Sequence, residues 1–309
     1  MTTAALPRQA RRRCAANPAA SGETPAALAL AAPGLILLLT LVVAPVAAVL
    51  VLSMTDWQFG AGTLNFVGLA NFAAMWSDPV FHAALVNTAV YVVIVVPGSM
   101  LLGLLIALVI ESGKSFRAVY RAIHFLPVMA TMAAMAIAWE SMLHPTIGLV
   151  NRILAVFGLS QPNWLGDPAL VVPTLAAIGI WQHVGYAMVL FLAGIKAIPA
   201  DLYDAAAVDG ADSALDRVFT VTLPMLGPVT MFVTIIVALK AFEVFDTVQV
   251  LTQGGPGYAS EMLLHALYLE SFTYFRAGYG SALTVVFLVI VVALTVTQAR
   301  TFDRKVHYT

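Results

Sequence analysis

The sequence predicts an all-α membrane protein, a bundle of six transmembrane helices with a folded polar hairpin outside the bilayer. Three observations carry this. The 309 residues are 61% hydrophobic and 10% charged, whereas soluble domains carry about 25% charged residues. The apolar residues fall in runs long enough to cross a bilayer as helices, about 20 residues each. One polar segment, Asp201–Pro224, stands between two such runs and holds five of the sixteen carboxylates.

Residues 1–24 are rich in Ala, Pro and Arg and are expected to form a disordered tail. The first span, Ala27–Met54, follows Arg11-Arg12-Arg13 as the core of a signal peptide would. Its apolar run is too long for one, so it reads as an uncleaved span. Five further spans are expected at Ala83–Ile110, Ala122–Met142, Leu170–Ile195, Pro228–Leu251 and Tyr279–Thr297, within a membrane domain of residues 25–300 followed by a tail at 301–309. Segments 55–82 and 143–169 carry Phe66, Phe72, Trp76, Phe81, Leu154, Phe157 and Trp164. These suit either packed caps or an aromatic belt at the headgroups. In the segment 252–278, Gly254-Gly255-Pro256-Gly257 makes a turn cluster, because Gly and Pro do not continue a helix there.

Lys and Arg set the orientation. Arg8, Arg11, Arg12 and Arg13, then Lys114, Arg117 and Arg121, then Lys196 and Arg217, then Arg300, Arg304 and Lys305 all fall on one side. The other side has Arg152 and Arg276, and Lys240 lies within a span. The positive-inside rule makes the first set cytoplasmic, with both termini and the acidic hairpin.

Several chemistries are excluded. Gly113-Lys114-Ser115 is no phosphate loop, since Leu108 stands where the first glycine belongs. No HExxH occurs. Gly98-Ser99 and Gly280-Ser281 do not supply a serine nucleophile with a paired His. Cys14 is the one cysteine, so no disulfide or thiolate metal site is expected. Net charge is near zero and implies no nucleic-acid partner. Nothing supports catalysis.

Charges within spans are costly and mark candidate sites. Lys240, Glu243 and Asp246, three apart, share one helix face and are expected to form a polar stripe, with Phe242 and Phe245 beside it. Trp181, Gln182, His183 and Tyr186 in the fourth span, and Asn87 and Tyr91 in the second, add aromatic and hydrogen-bonding groups. Two readings fit these residues. They form the polar wall of a path for a polyhydroxylated solute, or they pack the bundle, with Lys240 and Glu243 neutralising each other.

The hairpin reads as two short helices. Pro199 suits a first helical turn, and Asp201 and Asp204 complement the dipole there. Ala205-Ala206-Ala207 favours helix, and Gly210 suits a left-handed stop. Asp212 or Ser213 caps a second helix that runs to Leu223 and breaks at Pro224. Lipid-surface helices carry Lys and Arg. This acidic face points instead to a basic protein partner.

Ile198-Pro199, Leu202-Tyr203-Asp204-Ala205-Ala206, Asp209-Gly210-Ala211, Phe219 and Thr222-Leu223-Pro224 resemble the Glu-Ala-Ala loop of binding-protein-dependent ABC transporter permeases. Three further segments resemble the carbohydrate-uptake branch, in particular its maltose-type first permease subunit and the glycerol-3-phosphate permease A subunit. They are Phe66-Val67-Gly68-Leu69 with Asn71-Phe72, Asp78-Pro79 and Asn87-Thr88; Trp139 with Gly148-Leu149-Val150-Asn151; and Phe245-Asp246 with Leu251-Thr252 and Gly254-Gly255-Pro256. The resemblance runs from about Phe66 to the C-terminus. Asp204 replaces the usual Glu, the Trp-Gln before Arg217 is absent, and one extra residue lies between Gly210 and Val221-Thr222-Leu223-Pro224, which leaves the register of the second short helix open.

The resemblance implies a type I importer permease in a bacterial cytoplasmic (inner) membrane, with a coupling hairpin at 198–224. It implies a heterodimer with a second, similar permease, two ATPase subunits that grip the hairpins, an extracytoplasmic solute-binding protein, and membrane lipid around the bundle. This chain would bind no cofactor. ATP and Mg would sit on the ATPases, and this chain would not hydrolyse. Asp204, Ala205, Ala206, Asp209 and Gly210 would couple. Lys240, Phe242, Glu243 and Asp246, then Trp181, Gln182, Tyr186 and Asn87, would line the path of a small-molecule substrate. A sugar or oligosaccharide is the default. Lys240 and the ending Val306-His307-Tyr308 also suit glycerol-3-phosphate or a glycerophosphodiester. A secondary transporter is the rival reading, but its internal repeats are not visible.

Overall fold

Helices dominate the structure. Among the described residues the one β-contact is an isolated antiparallel bridge between Thr55 and Phe66. The computed structural model describes residues 20–113 and 116–303. The tail up to residue 19, with Arg8, Arg11, Arg12, Arg13 and Cys14, lies outside the described residues, as do Lys114, Ser115, Arg304, Lys305 and Val306-His307-Tyr308.

The chain divides into two units, Met1–Val49 and Leu50–Thr309. In the region of the first span, α1 (Ala20–Leu38) passes through a π-helical turn (Leu39–Val43) into α2 (Ala44–Leu52). Ala44 N–H reaches back to Leu39 O. This wider turn stands just ahead of Pro45, whose missing N–H and bulky ring disturb a regular α ladder.

In the second unit, a short α3 (Ala70–Trp76) precedes α4 (Pro79–Ser112). Asp78 caps α4, its Oδ1 accepting from Val80 N–H at 2.9 Å, with Pro79 in the first turn. Its 34 residues give a length of about 50 Å, more than the hydrocarbon core requires.

The expected span 122–142 is not one helix. It is α5 (Arg117–Met129) followed by α6 (Met132–Leu143), bent by 100°. Pro127 cannot donate to the Ile123 carbonyl, and two residues past that last turn Ala130 and Thr131 are extended, with ψ of 145° and 127°. Alone, α5 is only about 20 Å long and too short to span.

After α7 (Leu149–Val156) comes α8 (Val171–Lys196), the most buried of the membrane-length helices. It packs along α4, with Tyr91 and Val95 against Gly179 and Gly103 against Ala187, in one core with Leu175, Met188 and Phe191. Gly185 lets the backbone of α5 lie directly on α8. A Cβ there would overlap the His124 carbonyl oxygen and approach Phe125 Cα to 3.1 Å. Both are backbone atoms and neither can rotate away. Gly185→Ala is therefore expected to destabilise the purified protein by about 1–3 kcal/mol, the usual range for overpacking, read as a lowered thermal midpoint in detergent.

The aromatic residues of the connecting segments divide. Phe81 is buried with Met75, Leu263 and Leu283. Trp164 donates to Asn151 Oδ1 at 2.8 Å. Phe66, Trp76 and Phe157 are exposed, as headgroup-level rings would be.

The chain then forms the hairpin: α9 (Ala200–Val208), α10 (Ala214–Arg217), a π-helical turn (Val218–Thr222) and α11 (Leu223–Met225). The expected break at Pro224 is displaced. Pro224 sits in the first turn of α11, and the helical run ends at Met225. Beyond it, α12 (Gly227–Phe242) and α13 (Asp246–Leu251) together make the membrane-length span Gly227–Leu251, matching the one expected over 228–251, with an interruption at 243–245. Val233, Val237 and Ala241 of α12 complete the core around α4 and α8. Finally α14 (Leu263–Tyr268), a π-helical turn (Leu269–Thr273) and α15 (Ala277–Asp303) close the unit.

Candidate functional site

Two places gather the residues singled out by sequence. The first is the hairpin. Helix α9 ends in a full Schellman closure: Gly210 N–H donates to Ala207 O at 3.2 Å and Ala211 N–H to Ala206 O at 2.8 Å. This closure needs a left-handed residue, and Gly210 has φ 95°. Of the two candidate caps for α10, the chain uses Ser213. Its Oγ accepts from Asp216 N–H at 3.0 Å, while Asp216 Oδ2 accepts from Ser213 N–H at 3.2 Å, a capping box. The Ser213 hydroxyl, donating to Oδ2 at 2.6 Å, and after it the Ser213 N–H hold the Asp216 carboxyl below the usual carboxylate range.

Leu223 N–H bonds to Val218 O across a π turn, which holds one residue more than an α turn. Val221 and Thr222 within it are buried, and Tyr203 OH lies 3.1 Å from Thr222 Oγ1, joining the two arms. The arms enclose a cleft of about 470 Å³, walled by Ala205, Ala206, Asp209 and Gly210. Asp204 is exposed and stands outside that wall. Val208, Leu215 and Phe219 are exposed around it, at 89%, 69% and 66%.

The second place is a polar cavity of about 200 Å³ at the interruption of the fifth span. Helix α12 stops at Phe242, and Glu243 turns at its C-terminus with ψ 12°. Glu243 thereby folds back, and its Oε2 meets Lys240 Nζ at 2.9 Å, with both side chains more than half exposed. Lys240 lies in the last turn of α12 and Asp246 in the first turn of α13. Each charge complements the helix end it occupies. The expected continuous stripe is therefore corrected. These three residues gather around two facing helix ends, an arrangement in which broken membrane helices build solute sites.

Gln182 joins Lys240, Glu243 and Asp246 in the cavity wall, with Tyr91 and His183. His183 Nδ1 is 2.6 Å from the Gly179 carbonyl, which takes up one ring nitrogen. The other expected lining residues are elsewhere. Phe242 is in the hydrophobic core at 8% exposure. Trp181 packs edge-on against Trp139, with centroids 5.4 Å apart. Tyr186 does not line the cavity. Asn87 instead donates to the carbonyls of Tyr258 and Glu261 at 3.0 and 3.1 Å, clamping the 252–262 segment to α4. Sequence reasoning missed Gln249, Glu261 and His265 behind that segment. The four-residue spacing of Glu261 and His265 was the available signal.

Residues 99–308 match the family described as the binding-protein-dependent transport system inner membrane component. The trehalose/maltose transport system permease protein MalF of Thermococcus litoralis is 36% identical over 234 residues, covering 75% of this chain and 78% of that protein. The sn-glycerol-3-phosphate transport system permease protein UgpA of Agrobacterium fabrum is 33% identical over 258 residues, covering 83% of this chain and 87% of that one. A chain of a bacterial alginate ABC transporter, solved in complex with an alginate pentasaccharide-bound periplasmic protein, superposes with a TM-score of 0.79. It is 21% identical and covers 93% of this chain and 96% of its own length, a likeness that establishes the shared fold.

Proposed function

The chain belongs to the family of inner membrane components of binding-protein-dependent transport systems, and from that premise we propose that it is one membrane half of an ATP-driven importer of a sugar or oligosaccharide. It pairs with a second permease in the bacterial inner membrane, with both termini and the hairpin in the cytoplasm. Two ATPase subunits bind ATP and Mg and dock on the hairpins. An external binding protein delivers the solute, and the chain itself catalyses nothing. The MalF relative and the periplasmic protein in the alginate complex support this assembly.

One observation carries the choice of solute. The cation in the polar cavity, Lys240, is already paired with Glu243, and Asp246 lines the same wall. One positive and two negative groups disfavour an anion, while the Gln182 amide, the His183 ring and the Tyr91 phenol suit hydroxyl groups. The UgpA relative favours a second reading, import of glycerol-3-phosphate or a glycerophosphodiester by the same machinery. Reconstitution of the complete complex in proteoliposomes tests both. ATP-dependent uptake of a labelled sugar such as maltose or trehalose, delivered by the cognate binding protein, is expected. Uptake of glycerol-3-phosphate alone would establish the second reading, and uptake by this chain alone without ATP would sink both.

A further inference from the structure

Glu261 and His265 are buried beneath the 252–260 turns, at 2% and 1% exposure. His265 stands one helical turn after Glu261, and its Nδ1 is 2.7 Å from Glu261 Oε1. In this bond the Nδ1–H tautomer donates and the carboxylate oxygen accepts. On the other edge of the ring, Nε2 faces the Gln249 side-chain amide at 3.0 Å and accepts from its NH2 when Nδ1 holds the ring's one proton. Gln249 belongs to α13 and lies three residues beyond Asp246, on the same helix face. A continuous hydrogen-bonded relay thus runs from Glu261 through His265 and Gln249 to within one turn of the cavity wall.

The surroundings hold this relay in place. Gly254, left-handed at φ 81°, leaves room for the Glu261 carboxylate, and a Cβ at 254 would overlap Glu261 Oε2. Thr88 Oγ1 accepts from Leu263 N–H at 2.9 Å, so α4 grips the segment on either side of the carboxylate. Phe245, in the cavity wall, lies 6.1 Å from the His265 ring. Helix α13 itself has six residues, with the 243–245 interruption before it and left-handed Gln253 after it. A helix this short has no stability of its own, so tertiary contacts must fix where it stands.

We propose that Glu261 is a positioning residue of the solute cavity, acting through His265 and Gln249 to fix α13 and with it the place of Asp246 opposite the Lys240–Glu243 pair. The proposal rests on reading that cavity as the solute path, and its test needs no solute. The full complex is prepared in membrane vesicles with the one cysteine removed (Cys14→Ser). Asp246→Cys then reports from the cavity and Gln58→Cys from an exposed loop position outside the cavity wall. Labelling rates with a small charged methanethiosulfonate are compared with and without Glu261→Gln. The rate at 246 is expected to change by about fivefold or more, the scale of coupling between linked elements, while the rate at 58 stays constant. Glu261→Asp should fall between. An unchanged rate at 246 overturns the proposal. If Glu261→Gln lowers the membrane level or moves the rate at 58, Gln249→Leu decides, because it cuts the far end of the relay and leaves the carboxylate in place. The same shift at 246 supports the proposal, and a wild-type rate overturns it. Failure of the sugar reading would appear separately, as absent uptake by the unmodified complex.

Discussion

Gly210→Pro is expected to reduce ATP-driven uptake at least about tenfold, a loss of about 1.4 kcal/mol in coupling, with the protein still present in the membrane. Proline fixes φ near −65°, whereas the backbone at 210 has φ 95°. Proline also removes the N–H that donates to Ala207 O. The Schellman closure would open, and the arms of the cleft would lose their relative placement. Gly210→Ala separates conformation from bulk. A Cβ at 210 meets nothing within 4 Å, so alanine carries only the left-handed penalty, about 1–2 kcal/mol, and should give an intermediate loss. Asp204→Lys, on the exposed face outside the cleft, reverses a charge without touching the closure. It should weaken capture of the ATPase while leaving the hairpin fold intact. Wild-type co-purification with the ATPase and wild-type uptake in Gly210→Pro and Asp204→Lys would refute the coupling role.

The hairpin was legible because its determinants are local. Ser213 and Gly210 act on backbone groups within a few residues, and their preferences hold in nearly any surroundings; Pro199, expected in the first turn, stands one position earlier, at the N-cap of α9. The cavity was half legible for the opposite reason. Lys240, Glu243 and Asp246 announce themselves as charges in an apolar span, but no Gly or Pro marks the interruption at 243–245. What holds Phe245 out of the helix is tertiary: its ring packs against Tyr268 at 4.9 Å and near His265. Asn87 shows the same limit. Its role is set by the carbonyl of Tyr258, a residue 171 positions away, and a sequence window contains no trace of that partner. The bend between α5 and α6 had a visible cause in Pro127, yet hydropathy alone runs straight through it. The π turn at 218–222 lay between. The length of the segment was countable, while the wider turn within it became visible only from the Leu223–Val218 bond.

The Lys240–Glu243 pair offers the sharpest test of what the cavity accepts. Each single neutralisation leaves its partner charged and unmatched in the cavity wall, whereas neutralising both leaves two amides beside Asp246. If the solute is an uncharged sugar, Lys240→Gln and Glu243→Gln should each lower uptake about tenfold. The double variant should return to within about threefold of the unmodified complex, because the penalty belongs to the unpaired charge and not to the lost residue. If the solute carries a phosphate, the pattern inverts. Lys240→Gln and the double variant should fall together, and Glu243→Gln should hold or gain, since it frees the ammonium for the anion. Asp246 sharpens the contrast, because it keeps the cavity negative once Lys240 is neutralised and so penalises an anion further. If the pair only packs the bundle, all three variants should transport normally and differ only in thermal stability. A double-mutant cycle on initial uptake rates, with protein levels held equal, separates these three outcomes by sign as well as by size.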